Sequence, residues 1–265
     1  MLNKIIAFAN QKGGVGKTTS SVNFAAALSS IQQKVLLIDL DPQGNATVGS
    51  GIDKDKAEAT VNEVLQEEIA VEKAIIRRTG AGYDLLAANS DLTAAEVALL
   101  RKPQQESNLK KALHSIRGNY DFIVIDCPPS LNMLTLNALV AADSVIIPLQ
   151  CEFYALEGLS ALMNTIEQVK RTLNPALMIE GIVRTMYDPR NRLSTEISAQ
   201  LVAHFGTKVY QTVIPRNIRL AEAPSHGIPI LLYDKNSKGS EAYMGFAREF
   251  LKQHKSMPLL ESFEA

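Results

Sequence analysis

A glycine-rich loop between an apolar strand and a helix constrains this chain more than any other feature. Residues 12–19 are Lys-Gly-Gly-Val-Gly-Lys-Thr-Thr, between a predicted buried strand at 4–9 and a predicted helix at 20–28. Gly14 to Thr19 fit the second half of the pattern G-x-x-x-x-G-K-[ST], whose first position is Gln11 here. In that context, backbone N–H groups and a helix N-terminus cradle phosphate groups. Residues 12–19 are therefore called the phosphate loop.

The residues of the phosphate loop have separate predicted roles. Its predicted phosphate-binding backbone belongs to Gly13, Gly14, Val15 and Gly16. Lys17 is expected to reach the β- and γ-phosphates of a nucleoside triphosphate, and Thr18 to hold Mg²⁺. Lys12 is one lysine more than the pattern requires, and a solvated loop lysine is the alternative interpretation, which the loop alone leaves open.

Composition indicates an ordinary globular chain with no global attraction for nucleic acid. The 265 residues are 46% hydrophobic and 21% charged, and the net charge is −1. Nucleic acid would therefore need a local basic patch. Cys127 and Cys151 lack the spacing of a metal or redox motif, so we expect two buried free thiols and a cytoplasmic protein. We predict one domain over 1–265, with 255–265 as a frayed tail.

Apolar strand patterns alternate with helical patterns along the chain. The further predicted strands are 35–39, 83–87, 122–126, 144–149 and 178–184. The further predicted helices are 106–116, 131–140, 155–172, 194–204 and 238–253. Residues 45–82 are less regular and are predicted to be a surface excursion. This βαβ alternation predicts an α/β fold with a doubly wound, mostly parallel sheet and helices on both faces.

Acidic residues follow two of the predicted strands. Asp126 ends an apolar strand, and Asp39 and Asp41 end and follow another. At the carboxyl ends of parallel strands, such carboxylates can orient the attacking water or contact Mg²⁺ through water. Turn formation alone would also account for them. Beside a phosphate loop, the catalytic interpretation is favoured.

Five segments together resemble the ParA/Soj group of deviant Walker A ATPases, which partition chromosomes and plasmids. The segments are residues 12–19, 39–45, 122–129, 153–158 and 214–227, and the resemblance covers essentially the whole chain. It implies a P-loop ATPase using ATP and Mg²⁺, with Asp41 positioning the hydrolytic water and Asp126 contacting the metal through water. It implies that Lys12 crosses a dimer interface to the partner's phosphates, and that Thr19 lies beside the α-phosphate.

The resemblance also implies a base pocket and a set of partners. Met186, Pro215 and Asn217 lie where similar proteins bind adenine, although each could equally be a core or turn residue. Arg190 and Arg219 match residues that bind double-stranded DNA non-specifically in the ATP-bound homodimer, although scattered surface arginines are common. A ParB-type centromere-binding protein is the expected activator, and the nucleoid the expected location.

Two alternatives share the phosphate loop. A MinD-like membrane-associated regulator would need a basic amphipathic C-terminal helix, and Pro258 interrupts residues 251–258. We therefore expect no stable membrane association. A relative of the nitrogenase iron protein would need cluster-ligating cysteines around a dimer axis. Cys127 directly follows Asp126, which predicts a core position instead.

Overall fold

A computed structural model describes residues 3–101 and 103–255, without the side chain of Lys255. Within these ranges one sheet has eight strands. They are β1 (Lys4–Phe8), β2 (Val35–Asp39), β3 (Ile75–Ile76), β4 (Asp84–Leu86), β5 (Phe122–Asp126), β6 (Ser144–Gln150), β7 (Met178–Tyr187) and β8 (Val209–Pro215). The part of the predicted tail beyond Lys255 lies outside the described residues.

Helices connect the strands. In chain order they are α1 (Lys17–Ser30), α2 (Asn45–Gly49), α3 (Val61–Leu65), α4 (Val71–Ala74), α5 (Leu92–Leu99), α6 (Asn108–His114), α7 (Met133–Ala141), α8 (Ala155–Thr172), α9 (Arg192–Phe205), α10 (Ile218–Glu222), α11 (Ile230–Tyr233) and α12 (Lys238–Lys255). Short 3₁₀ turns occupy Gln105–Ser107, Arg117–Asn119, Gly206–Lys208 and Ala223–His226. None of the described helices has the length and apolar character needed to cross a membrane.

The sheet topology fixes where a ligand can bind. The strand order is β3-β4-β2-β5-β1-β6-β7-β8, and only the short β3–β4 pair is antiparallel. Strand β1 lies between β5 and β6, so the chain winds away from β1 in both directions. Doubly wound sheets bind ligands outside the carboxyl ends of their strands at such a switch point. The phosphate loop follows β1 at that place, and the predicted fold class is confirmed.

Two apolar cores cover the two faces of the sheet. Ile5 and Ala7 of β1 belong to the core that includes α7 and α8, whereas Ile6 and Phe8 belong to the core that includes α1 and α12. This alternation follows from the two-residue period of a strand. In the second core, Phe24 of α1 packs against three aromatic rings at centroid distances of 4.8–5.4 Å. Both surfaces of β1 are thus held rigidly beneath the phosphate loop.

All six predicted strands and all six predicted helices form, some to the residue and the others with shifted ends. The predicted helix 106–116 is wrong in extent, because a 3₁₀ turn precedes α6 and that helix ends at His114. The predicted end of strand 178–184 is also wrong, because β7 continues to Tyr187 and includes Met186. Strands β3 and β8 were missed. Strand β3 has only two residues, and β8 lies at the sheet edge, where exposed Gln211 breaks the apolar run.

A partly buried polar cluster joins the amino-terminal edge of the sheet to the last helix. Glu180 forms an ion pair with Lys4 of β1, and its Oε1 lies 2.8 Å from Nε2 of His254 in α12. The register of β6 against β7 shifts between Val145 and Ile146, which places Glu180 at a bulge. Burial raises the pKa of Glu180, but the hydrogen bonds from His254 and Lys4 outweigh burial and bring it to about 2.

We expect this cluster to stabilise the fold at neutral pH and to fail in acid. The pKa of Glu180 is about 2 in the folded chain against an ordinary value of 4.5, so the unfolded chain binds the proton more tightly. The stabilisation is present above pH 4.5 and is lost as the pH falls toward 2. Between pH 6 and pH 3, the unfolding free-energy difference between wild type and Glu180→Gln should shrink by about 2 kcal/mol. Urea unfolding at both pH values measures it.

The matched control for this prediction is Glu58→Gln, which neutralises an exposed carboxylate elsewhere. The difference in unfolding free energy between this variant and wild type should change little over the same pH range. A Glu180→Gln difference that stays constant with pH would contradict the role given to the cluster.

Candidate nucleotide-binding site

The phosphate loop is shaped by two glycines and anchored to the sheet by one hydrogen bond. Gly14 and Gly16 have φ angles of 73° and 83°, a left-handed region that favours glycine. Val15 between them is buried, and its carbonyl oxygen accepts a hydrogen bond from Oγ1 of Thr185 at 2.7 Å. Val15 therefore contributes to the loop by fixing it to β7, while its glycine neighbours form the open surface.

The N-terminus of α1 is open to an anion. Gly16 precedes this 14-residue helix and offers no side chain to cap it, and the first turn contains no acidic residue. The first N–H groups of a helix lack partners within the helix and carry partial positive charge. A phosphate group supplies the missing acceptors.

Lys17 is a buried cation at this helix terminus. Its exposure is 6%, and its Nζ donates a hydrogen bond to the Lys12 carbonyl oxygen at 3.1 Å. Burial lowers the pKa of Lys17, and attraction to Asp126 and Asp41 opposes that effect only in part. An anion bound in front of the loop would stabilise the charged form of Lys17.

A cleft of about 540 Å³ opens in front of the phosphate loop. This volume is within the range of sites for small molecules. The predicted nucleotide residues that line it are Gly13, Gly14, Gly16, Lys17, Thr18, Thr19, Met186, Pro215 and Asn217. The fold thus brings the loop together with residues of β7, β8 and α10 that are about 170 to 200 positions away in the sequence.

The three candidate adenine residues form one wall of the cleft. Met186 has a φ of 48°, unusual for a non-glycine residue, at an irregularity in the β7–β8 register. Pro215 ends β8, and Asn217 caps α10 by accepting a hydrogen bond from the Leu220 N–H at 3.2 Å. Methionine and proline give the wall an apolar surface suited to a flat base. Their roles in adenine binding stay a prediction.

Asp126 lies fully buried behind Thr18 rather than in the cleft wall. Its Oδ1 accepts a hydrogen bond from the Ser21 hydroxyl at 2.8 Å, whereas its Oδ2 is buried without a hydrogen-bond partner. Burial, and next repulsion from Asp39, raise the pKa of Asp126 to about 8, although the hydrogen bond from Ser21 opposes the rise. A carboxylate in this state is stabilised by an added positive charge.

The two acidic residues after β2 differ in what they contact. Asp39 is fully buried, and its Oδ2 accepts hydrogen bonds from the N–H and the hydroxyl of Thr47, both at 2.8 Å. Burial raises the pKa of Asp39 to about 6 against those hydrogen bonds. Asp41 lines the cleft, and its Oδ1 accepts a hydrogen bond from the Gln43 N–H at 2.9 Å. Asp39 therefore holds the turn, and Asp41 faces the cleft.

The side chains present fit Mg²⁺ bound together with phosphate. In the described part of the chain, no group of three or more His, Cys, Asp or Glu side chains could hold a metal by itself. Magnesium in phosphate sites usually keeps several waters and takes few protein ligands beside the phosphates. The Thr18 hydroxyl in the cleft and the unpartnered Oδ2 of Asp126 behind it match that requirement.

Lys12 is not among the residues that line the cleft of its own chain. Its Nζ lies 2.6 Å from Oε2 of Glu152, the second residue after β6. Both side chains are partly exposed, at 39% and 45%. Lys12 thus differs from Lys17, the other lysine of the loop, in the direction of its side chain, in its partner and in its exposure.

The two candidate DNA-binding arginines are exposed and paired with acids on their own chain. Arg190 forms a bidentate contact with Asp188, at 2.8 and 2.9 Å. Arg219 pairs with Glu222 at 2.9 Å. Local exposed ion pairs of this kind contribute little to stability, so another anion can compete for either guanidinium. Neither arginine lines the cleft.

Several residues that line the cleft were not predicted as site residues, and three of them are polar side chains from distant elements. Thr185 and Tyr243 belong to β7 and α12, and Arg216 directly follows β8. Arg216 stands beside Pro215 and Asn217, so its position next to a predicted base pocket was an available signal. Nothing in the local sequence marks Tyr243, because its place depends on packing of α12 against α1, where its hydroxyl contacts that of Ser20 at 3.1 Å.

Both cysteines are buried free thiols, as predicted. Burial raises the pKa of Cys127 well above its usual range and that of Cys151 to about 11. Protonated buried thiols are poor metal ligands. These thiols therefore offer no support for the iron-protein alternative.

Comparison with known proteins identifies the family. A family model described as an AAA domain matches residues 3–179. The sporulation initiation inhibitor protein Soj of Bacillus subtilis is 52% identical over 248 residues, or 94% of this chain and 98% of that protein. The chromosome partitioning protein ParA of Caulobacter vibrioides strain NA1000 is 50% identical over 254 residues, or 95% of each chain.

A solved structure extends this likeness to a bound nucleotide. Cobyrinic acid a,c-diamide synthase from Mycobacterium smegmatis, with bound ATP analogue and magnesium, matches with a TM-score of 0.84 and 40% identity. The match covers 96% of each chain. With the phosphate loop, its carboxylates and full-length relatives in agreement, this chain belongs to the ParA/Soj family of deviant Walker A partitioning ATPases.

Proposed function

We propose that this ATPase partitions DNA through an ATP-dependent dimer. ATP binding assembles a sandwich homodimer that binds double-stranded DNA without sequence preference. Slow hydrolysis, stimulated by a ParB-type centromere-binding partner, dissolves the dimer and releases the DNA. The observation that carries this proposal is the pair of unlike lysines in one loop, because Lys17 serves its own cleft and Lys12 does not line it.

The hydrolytic chemistry is assigned to three residues of this chain. Lys17 neutralises charge on the phosphate oxygens, and Asp41 accepts a hydrogen bond from the attacking water and orients it. Lys12 of the opposite subunit adds a cation, because phosphoryl transfer spreads negative charge over the γ-phosphate oxygens. Magnesium, held by Thr18 and through water by Asp126 and Asp41, would supply further positive charge there.

An exposed apolar surface beside Lys12 supports dimerisation. Phe153 and Tyr154 follow Glu152 directly, are 70% and 66% exposed, and have ring centroids 5.0 Å apart. Leu131, in the loop after β5, is 50% exposed. These residues follow the carboxyl ends of β5 and β6, the same sheet edge as the phosphate loop. Exposed aromatic groups of this kind are typical of interfaces.

Arg190 and Arg219 are the proposed contacts to the DNA backbone. A two-fold dimer doubles each guanidinium, so a chain of net charge −1 still offers a locally positive surface. Contacts to phosphates carry no sequence information, which suits a protein that must travel over any part of a nucleoid. The name of the chromosome partitioning protein ParA, one of the relatives, supports partitioning as the cellular role.

We expect Lys17→Ala to weaken ATP binding about 10- to 100-fold. The substitution removes a charge-assisted contact to phosphate, worth about 1.5–3 kcal/mol. Titration of the purified protein with a fluorescent ATP analogue measures the dissociation constant. The control is Lys34→Ala, an exposed lysine before β2 at the opposite edge of the sheet. Unchanged ATP affinity in Lys17→Ala would refute the assignment of this site.

We expect Asp41→Ala to bind ATP and to hydrolyse it about 100- to 1,000-fold more slowly, because the attacking water loses its positioning group. The variant should accumulate as an ATP-bound dimer. Single-turnover phosphate release and sedimentation measure both effects, with exposed Asp55→Ala as control. A monomeric Asp41→Ala protein with full turnover would contradict the role.

The central test is DNA retention with ADP and with ATP. Wild type should bind a random-sequence duplex in ATP only, and Lys12→Ala should bind in neither state because the dimer does not form. Arg219→Glu should dimerise with ATP and lose most DNA binding. The salt dependence of its DNA binding should become weaker. The magnitude of the slope of log affinity against log salt should decrease by about 2, because each of the two subunits loses one phosphate contact.

The matched control for Arg219 is Arg171→Glu. Arg171 is also an exposed arginine in a local ion pair, with Glu167 of α8 at 3.0 Å. The control should retain the duplex. Equal DNA binding by the wild type in ADP and in ATP would contradict the proposed dimer switch. Binding of the ATP-bound protein to anionic lipid vesicles would instead support the MinD-like alternative.

A further inference from the structure

The ion pair between Lys12 and Glu152 joins two loops that are far apart in the sequence. Nζ and Oε2 are 2.6 Å apart, and the residues are separated by 140 positions. One partner belongs to the phosphate loop after β1, and the other follows β6, the neighbouring strand. The geometry therefore fixes the direction of the Lys12 side chain along the same sheet edge.

Only the side chain of Lys12 is free to change partner. Its N–H donates to Oδ1 of Asn10 at 3.0 Å, and its carbonyl oxygen accepts from Nζ of Lys17 at 3.1 Å. Asn10 is itself held by the Pro148 carbonyl oxygen of β6, at 2.7 Å. Departure from Glu152 thus needs rotation of the lysine side chain and no rearrangement of the loop.

Glu152 and a phosphate group on another subunit compete for the same ammonium. A lysine ammonium is a compact point charge and cannot serve two distant anions. Glu152 also precedes the exposed Phe153 and Tyr154, so covering these rings brings its carboxylate toward a dehydrated surface. A carboxylate that has lost its cation there opposes association.

We propose that Glu152 is a positioning residue that holds Lys12 on its own subunit and thereby sets the threshold for ATP-dependent dimerisation. The inference rests on the proposed function, in which Lys12 acts across the dimer. Glu152 restrains that step until a nucleotide phosphate outcompetes the carboxylate. Without this restraint, the dimer forms at lower protein concentration.

Glu152→Gln tests the proposal because it keeps the shape of the side chain and removes its charge. In an Asp41→Ala background, where ATP persists, the dimer dissociation constant should fall about 2- to 25-fold. That range follows from two partly exposed ion pairs per dimer, each worth a factor of about 1.4 to 5. Sedimentation with ATP and with ADP measures it, and Glu157→Gln, an exposed acid on α8, is the control.

A second measurement examines the ion pair in the monomer. In nucleotide-free protein, brief acetylation followed by peptide mass spectrometry reports the reactivity of Lys12, with exposed Lys34 as internal reference. Glu152→Gln should raise Lys12 acetylation several-fold, because the amine no longer has to break an ion pair with a carboxylate before it reacts. A purely structural role for Glu152 would not alter this ratio.

The possible outcomes distinguish failure of the role given to Glu152 from failure of the proposed dimer switch. A dissociation constant that is unchanged or higher in Glu152→Gln overturns the positioning role, as does an equal shift in Glu157→Gln. Unchanged acetylation of Lys12 overturns it as well. Wild type that stays monomeric in ATP at every concentration would instead refute the proposed dimer switch itself.

Discussion

The structure around the cleft depends on a buried lysine that its surroundings do not fully neutralise. Lys17 is held at the open end of α1, with Asp126 and Asp41 nearby, yet burial still lowers its pKa. The raised pKa of Asp126 has the same cause, because burial also removes water from this carboxylate. Such a site is stabilised by a ligand that carries phosphate and metal together, because each charge supplies what one buried group lacks.

The sequence predicted the fold where its signals are local and strong. Continuous apolar runs such as residues 122–126 identify buried parallel strands, and 155–172 was predicted to the residue as α8. Strand β8 escaped because an edge strand is half exposed, and its Gln211 and Thr212 N–H groups are satisfied by the Glu249 carboxylate of α12. These hydrogen bonds join residues nearly 40 positions apart in the sequence, and no short sequence pattern predicts them.

For the site, the residue pattern predicted the loop and the neighbouring acids, and the family resemblance singled out Asp41 from Asp39. The structure adds the physical difference between them: the Asp39 carboxylate accepts hydrogen bonds from Thr47, whereas Asp41 lines the cleft. Arg216 and Tyr243 reach the cleft through tertiary packing alone. The pairing of Lys12 with Glu152 likewise required the three-dimensional register of β1 and β6.

The contacts of α12 have a practical consequence for handling the protein. Tyr243 faces the nucleotide cleft and touches Ser20, whereas His254 is fixed to Glu180 at the opposite edge of the sheet. About 16 Å of helix separates the two residues, at 1.5 Å per residue. The described end of α12 therefore lies on the side of the sheet away from the cleft. A fluorophore or affinity handle attached to an exposed position in the last turn of this helix would lie far from the cleft and from the aromatic surface beside Lys12, which makes that turn a suitable place to immobilise the protein for single-molecule work.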